Sequence, residues 1–248
     1  MKHKEYYNDQ YVLDISQKIG SVTPDFNQEV FVHNLTGQLE DKELFSRFDC
    51  IVDAMQLSMS GNYSKNIEAF FHMLGPELTK PEGMFQFGWW LWPVGRYVER
   101  YGNENWSLSL SFLKELTKRF TGEYAIRPLL REHPKEVMDE LIQWTKDQNV
   151  HVRRLASEGV RIRLPWSRKL SVALDEFERY STILTNLKDD PERFVQKSVG
   201  NNLNDLYKEA PDKADLIIAQ WRKTGGGKAQ EWIIRHGIRN QKAQVNDI

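Results

Sequence analysis

The sequence predicts an all-α protein, a stack of short helices with no β-sheet, and three observations carry that expectation. Apolar residues recur at three- and four-residue spacings, as in Leu108, Leu110, Phe112, Leu113, Leu116 and Phe120, which is the period of an amphipathic helix and not the alternation of a strand. Prolines stand where helices would open, and turn-forming pairs separate the segments. Basic residues also recur in similar surroundings along the second half.

Taken in order, turns at Gly75-Pro76, Lys80-Pro81 and Gly102-Asn103 divide the first half. The periodic run Leu108 to Phe120 is one helix. Pro134 opens another, carried by Val137, Met138, Leu141, Ile142 and Trp144 and broken near Gln148-Asn149, because proline loses nothing at a helix's first turn, where its missing N–H would have no partner. Similar starts fall at Asp190-Pro191 and Pro211, with turns at Lys188-Asp189 and Gly225-Gly226-Gly227. A dozen or more short helices are expected and no β-hairpin.

A weak repeat runs through the second half. Ala125-Ile126-Arg127-Pro128-Leu129, Val152 to Ala156, Val195 to Val199 and Ile233 to Gly237 each place a basic residue third: Arg127, Arg154, Lys197 and Arg235. The steps between them are 27, 43 and 38 positions, and the latter two match helical-pair repeats of the HEAT or armadillo kind. Such units stack into an α-solenoid, so the spacing predicts a row of cations along a concave basic face. The bland reading is that each cation pairs with a neighbouring carboxylate, as Arg154 would with Glu158 four residues on.

Composition sets the outer limits. The chain has 248 residues, 34 Lys plus Arg against 35 Asp plus Glu, and only 15 Gly and 9 Pro, which excludes disordered and low-complexity classes. The single cysteine, Cys50, excludes an internal disulfide and a cysteine-based zinc cluster, and it reads as a buried hydrophobe in a reducing, cytoplasmic setting. No apolar leader region follows the N-terminus. The most apolar run, Met84 to Val94, is about half the roughly 20 residues of a membrane-spanning helix. Its Trp89, Trp90 and Trp92 read as core. The near-zero net charge hides an asymmetry, since residues 1–150 sum to −6 and residues 151–248 to +5. The expectation is one helical-repeat domain over 1–248, with an acidic N-terminal half and a basic C-terminal half.

Within the basic half, His151 to Lys169 holds Arg153, Arg154, Arg161, Arg163, Arg168 and Lys169 against one acid, Glu158. A local patch of that kind can track a phosphate backbone irrespective of the global sum, because charges farther away than a Debye length of roughly 10 Å are screened; the bland reading is a solvated helix face. The candidates for chemistry cluster around it: Glu123 in Thr121-Gly122-Glu123, Glu158, Trp166 after Leu164-Pro165, and Asp205 closing Asn201 to Asp205. Singly each has a structural explanation as a helix-dipole partner, surface ion pair, packing residue or turn cap. Other motifs fail. Gly225-Gly226-Gly227-Lys228 is followed by Ala229 and lacks the phosphate-binding P-loop spacing, and the six histidines form no close metal-ligand pair.

Four stretches carry a resemblance: His151 to Trp166, Phe120 to Leu129, Val195 to Leu206 and Trp232 to Arg239. In these the chain resembles the bacterial alkylation-repair DNA glycosylases of the AlkC type, within the HEAT-like superfamily that includes the AlkD type. The similarity runs from about Tyr11 to Arg239. The resemblance implies a monofunctional, cofactor-free and metal-free glycosylase. It would excise cationic N3-alkylated bases of the 3-methyladenine class from double-stranded DNA, as a monomer without membrane association. It also implies that Glu123, Glu158, Asp205 and Trp166 form the catalytic group, with Arg127, Arg153, Arg154, Arg161, Arg163, Lys197 and Arg235 facing DNA. Gly122 stands where family members often carry alanine. The expected chain ends at Ile248, without the C-terminal immunoglobulin-like domain of some members.

The chemistry is consistent with elementary physics. A base methylated at N3 already carries positive charge and departs neutral without a general acid, so the barrier lies in cationic charge building on the deoxyribose. Ionised carboxylates beside the sugar stabilise that charge and hold the attacking water, and neighbouring arginines keep them ionised. An indole beside a cation adds about 0.5–2 kcal/mol. The alternative reading is a non-catalytic helical-repeat protein that binds branched or damaged DNA, or a protein-interaction scaffold.

Overall fold

A computed structural model describes residues 3–241, and all regular structure among them is helical. By contacts the chain divides into two compact units, one running through Pro128 and one from Leu129. The first contains α1 (Asp9–Val22), α2 (Gln28–Leu35), α3 (Leu44–Ser58), α4 (Tyr63–Met73), α5 (Met84–Phe87), α6 (Trp92–Tyr101) and α7 (Trp106–Thr117). The boundary falls within α8 (Ile126–Glu132). The second contains α9 (Pro134–Trp144), α10 (Val150–Glu158), α11 (Val172–Asp175), α12 (Phe177–Asn186), α13 (Arg193–Glu209), α14 (Pro211–Thr224) and α15 (Lys228–Gly237).

Local chemistry explains where these helices start. Asn8, Asn27, Asn62, Asn105 and Asn149 each accept a hydrogen bond from a backbone N–H of the first turn, at 2.9–3.2 Å, each cap being worth about 1 kcal/mol. Pro134 and Pro211 occupy first-turn positions as the sequence predicts, whereas the helix expected at Asp190-Pro191 begins only at Arg193. The reason is local: Asp190 is buried, and its carboxylate binds Arg153 and the Glu192 N–H, which fixes a turn ahead of the helix.

In the first unit, buried tyrosines pin the tryptophan run. Tyr7 and Tyr11 donate their hydroxyls to the carbonyls of Trp89 and Trp90, at 2.7 and 3.0 Å. Trp92 is core, but Trp89 and Trp90 remain half-buried, which corrects the expectation for two of the three. Cys50 likewise is half-buried and not a core residue.

The second unit is built of helix pairs. α9 packs on α10, and α13 on α14. α10, α13 and α15 then lie side by side in one layer, while α12 contacts both α9 and α14 in the other. α10 packs against α13, and Val152 and Leu155 of α10 and Val195, Val199, Leu203 and Leu206 of α13 are all buried. These residues recur at three- and four-residue steps, so one stripe of each helix is removed from water. α13 and α15 cross closely because of two glycines: a Cβ on Gly237 would stand 2.7 Å from that of Leu203, and one on Gly200 2.8 Å from His236 Cδ2. The three cations separated by 43 and 38 positions, Arg154, Lys197 and Arg235, therefore sit on three adjacent helices of one layer, α10, α13 and α15. The fold is all-α and HEAT-like, as the sequence predicts.

Candidate active site

α13 carries the site's foundation. Ser198, Asn202 and Asp205 follow one another at four and three residues, so they form a single polar stripe, and all three are buried. A buried polar stripe demands partners. They come from the end of α10 and the chain beyond it: Ser157, Glu158 and Arg161.

Arg161 is the hub. Its Nη1 donates to Glu158 Oε1 at 2.9 Å, its Nε to Asp205 Oδ2 at 3.0 Å and its Nη2 to Asp205 Oδ1 at 3.4 Å. The guanidinium fork thus gathers two carboxylates 47 positions apart in sequence, which the point charge of a lysine would hold less rigidly. Glu158 is 5 % exposed, Asp205 3 % and Arg161 9 %. The Arg163 N–H adds a 3.2 Å bond to Asp205 Oδ2. Arg154 Nη2 stands 3.4 Å from Glu158 Oε1, so the bland i,i+4 pairing is also realised.

Burial pushes the Glu158 carboxyl up, but the charges of Arg154 and Arg161 and the hydrogen bonds from Ser198 and Arg161 outweigh it. The group is held below its ordinary value and stays an anion. Tyr180 lies alongside, its hydroxyl donating to the Asn202 carbonyl at 3.3 Å. Burial and the charge of Asp205 push this phenol well above its ordinary value, against the opposing effect of Arg161.

Trp166 occupies the loop that follows α10. Ile162 and Leu164 are buried and tie the loop down, together with the Leu170 N–H to Ile162 O bond of 3.1 Å. Trp166 itself is 71 % exposed and adopts φ +60°. It is the one non-glycine residue with positive φ among the described residues. A bulky side chain in the left-handed region costs about 1–2 kcal/mol, and such strain concentrates at functional positions. Neither burial nor backbone preference accounts for an indole here.

Glu123 belongs to the first unit, in the turn between α7 and α8, and is 7 % exposed. Glu158, Asp205 and Trp166 belong to the second.

The seven cations expected to face DNA separate into distinct posts. Arg127 is 1 % exposed and so does not contribute a solvent-facing cation to the row. Arg161 is consumed by the carboxylates. Arg153 is bound to the buried Asp190 at 2.7 Å and to two backbone carbonyls at 2.9 Å, which makes it a fastener between α10 and the turn before α13. Half-buried Arg154 lies over the Phe194 ring at 5.1 Å. Exposed Arg163 pairs with Glu209, as does Lys169. Lys197 and Arg235 are exposed, with no ion pair among the described residues. Burial holds the His236 imidazole below its ordinary pKa, and the charges of Arg239 and Lys197 act in the same direction. His151 is a packing residue against Phe194. No group of three metal-ligating side chains occurs among the described residues, and no described helix is long and apolar enough to cross a membrane.

Sequence reasoning missed Ser157, Ser198, Asn202 and Tyr180. For Ser198 and Asn202 the signal was available in the helical spacing of small polar residues on α13, but it became legible only once that face proved to be buried.

With this geometry in hand, similarity to known proteins is informative. The chain is 28 % identical to the Pseudomonas fluorescens alkylpurine DNA glycosylase AlkC, solved bound to DNA containing an abasic site analog, with TM-score 0.83 over 96 % of this chain and 64 % of that one. AlkD2 from Streptococcus mutans shares the fold at 17 % identity, with TM-score 0.53 over 85 % of this chain and 94 % of that one. The uncharacterized protein YhaZ of Bacillus subtilis (strain 168) is 32 % identical over 239 residues, 95 % of this chain and 63 % of YhaZ. The chain therefore spans a little under two thirds of both AlkC and YhaZ. A family model described as DNA alkylation repair enzyme matches residues 102–240, which include the Glu158, Arg161 and Asp205 cluster, Trp166 and Glu123. The chain belongs to the DNA alkylation repair enzyme family.

Proposed function

We propose that this protein is a DNA glycosylase that hydrolyses the N-glycosidic bond of cationic N3-alkylated bases, the 3-methyladenine class, in duplex DNA. The observation that carries this reading is the pair of buried carboxylates, Glu158 and Asp205, gathered on Arg161, with the Arg163 N–H of the Trp166-bearing loop bonded to Asp205. A protein that merely bound phosphate would gain nothing from buried anions, which repel its ligand and are costly to desolvate.

The reaction follows from the leaving group. The alkylated base carries its own positive charge, so bond cleavage requires no proton from the protein, and positive charge moves onto C1′ of the sugar. Fixed anions lower that barrier, and Glu158 is held ionised by Arg154 and Arg161. Asp205 holds the attacking water. Water adds to C1′ and gives one proton to the Asp205 carboxylate, which passes it to solvent, leaving an abasic sugar and a neutral base. Trp166 sets its indole against the cationic base or sugar, a preference a neutral base does not share. Lys197 and Arg235, with Arg154 at the edge of the site, position the phosphates.

The test is base release from duplex DNA treated with a methylating agent, with the products identified. The parent protein is expected to release 3-methyladenine, and Asp205→Asn to lower the rate about 100-fold with duplex affinity unchanged. Undiminished release by both Asp205→Asn and Glu158→Gln would overturn the mechanism. Binding that is steeply salt-dependent without any base release would favour the non-catalytic reading.

A further inference from the structure

The buried hydroxyl chain behind Glu158 has no part in the chemistry above. Ser198 donates its hydroxyl to Glu158 Oε2 at 2.6 Å, and Ser157 Oγ lies 2.7 Å from Ser198 Oγ. Asn202 Nδ2 ties the same two residues together, donating to the Ser157 carbonyl at 2.9 Å and the Ser198 carbonyl at 3.0 Å. All three side chains are buried between α10 and α13.

A proton count fixes the direction of this chain. An ionised carboxylate has no proton to give, so Ser198 must spend its single proton on Glu158 and accept one from Ser157. Were Glu158 protonated, it would donate to Ser198, and Ser157 would turn to its other acceptor, the Arg154 carbonyl at 3.0 Å. The order of hydroxyl protons is thus bound to the charge state of one carboxylate. Arg154 and Arg161 both reach Oε1, which leaves Ser198 as the partner of Oε2.

We propose that Ser198 is a positioning residue for Glu158, fixing the rotation of its carboxylate and keeping it ionised through the Ser157–Ser198–Glu158 hydroxyl chain. This rests on the glycosylase reading, since its consequence for activity passes through Glu158. The charged and titratable groups facing the cluster are Arg154 on α10, Arg161 in the loop beyond it, Asp205 on α13 through Arg161, and the Tyr180 hydroxyl from α12 at the Asn202 carbonyl. Arg239, beyond α15, acts on the cluster through its charge interaction with Asp205. Against that fixed background, removing the Oε2 partner takes a charge-assisted hydrogen bond from the anion and only a weaker neutral one from the acid.

The experiment compares the parent protein with Ser198→Ala, Ser198→Thr and Ser157→Ala, each checked for native helicity. Two readouts are taken: the Glu158 carboxyl titration by NMR with side-chain-labelled glutamate, and the pH profile of base release from methylated duplex DNA. Ser198→Ala is expected to raise the Glu158 titration and the acid limb of the profile together by about one pH unit. Ser157→Ala should give a smaller shift of the same sign, and Ser198→Thr, which keeps the hydroxyl, should restore both. A Ser198→Ala protein whose Glu158 titration and acid limb match the parent's would overturn the proposal. Absence of base release by the parent at every pH would instead overturn the glycosylase reading, with the titration still deciding the role of Ser198.

Discussion

Arg161→Met removes the cation that Glu158 and Asp205 share while keeping most of the side chain's volume. Four hydrogen bonds from the guanidinium are lost, two of them to Asp205 and one to Glu158. Glu158 keeps Arg154 at 3.4 Å and the Ser198 hydroxyl, and Asp205 keeps the Arg163 N–H. Breaking a buried pair by deleting one partner costs about 3–5 kcal/mol, a large share of a domain's net stability.

The pH dependence separates this account from simple loss of packing. In the parent, the folded pKa of Glu158 lies below its unfolded value near 4.5, so its contribution is present above that value and lost as pH falls through the folded one. In Arg161→Met, burial gains the upper hand and raises the folded pKa above the unfolded one. The penalty is then greatest at neutral pH and is relieved as pH falls through the raised value. Urea unfolding followed by circular dichroism at pH 7.5 and pH 5 reads both, since the midpoint shift multiplied by the slope gives the free-energy difference. The difference between parent and variant should shrink by about 1 kcal/mol or more at the lower pH. An equal difference at both pH values, or one under about 1 kcal/mol at pH 7.5, would refute the shared-cation reasoning.

Three further outcomes are expected. Replacing Lys197 or Arg235 by Gln should each flatten the dependence of duplex affinity on log salt by about 0.9, as one released counterion requires; Arg153→Gln should leave that slope alone and destabilise the fold, because its partner Asp190 is buried. Trp166→Gly should change stability by less than about 1 kcal/mol in chemical denaturation, since relief of the φ +60° strain is offset by the lost burial of part of the indole and by glycine's entropy, while base release falls. Gly237→Ala should cost about 1–3 kcal/mol in the same measurement, because the new methyl meets Leu203 at 2.7 Å across the α13–α15 crossing.

Much of the site was legible before any coordinates. Glu158 and Asp205 stood out as acids in a basic region, and the steps between Arg154, Lys197 and Arg235 located three helices that pack in one layer. The other cations were not legible in the same way. Arg153, Arg161 and Arg163 look alike in a sequence of alternating arginines, yet one fastens a turn, one bridges two buried carboxylates and one pairs at the surface. The identity of a cation's partner depends on which acid another helix brings to it.

What the sequence determined alone is the helical class and the helix starts at Pro134 and Pro211, because periodicity and first-turn prolines act within a few residues of one another. What only the tertiary structure decided is which polar groups are buried together. Ser198, Asn202 and Asp205 become one buried polar cluster because α13 turns that stripe toward α10, where water is excluded and every donor must find an acceptor. Hydrogen bonds spanning 40 to 45 positions arise from the packing of whole helices, and no short window of sequence contains both ends of them.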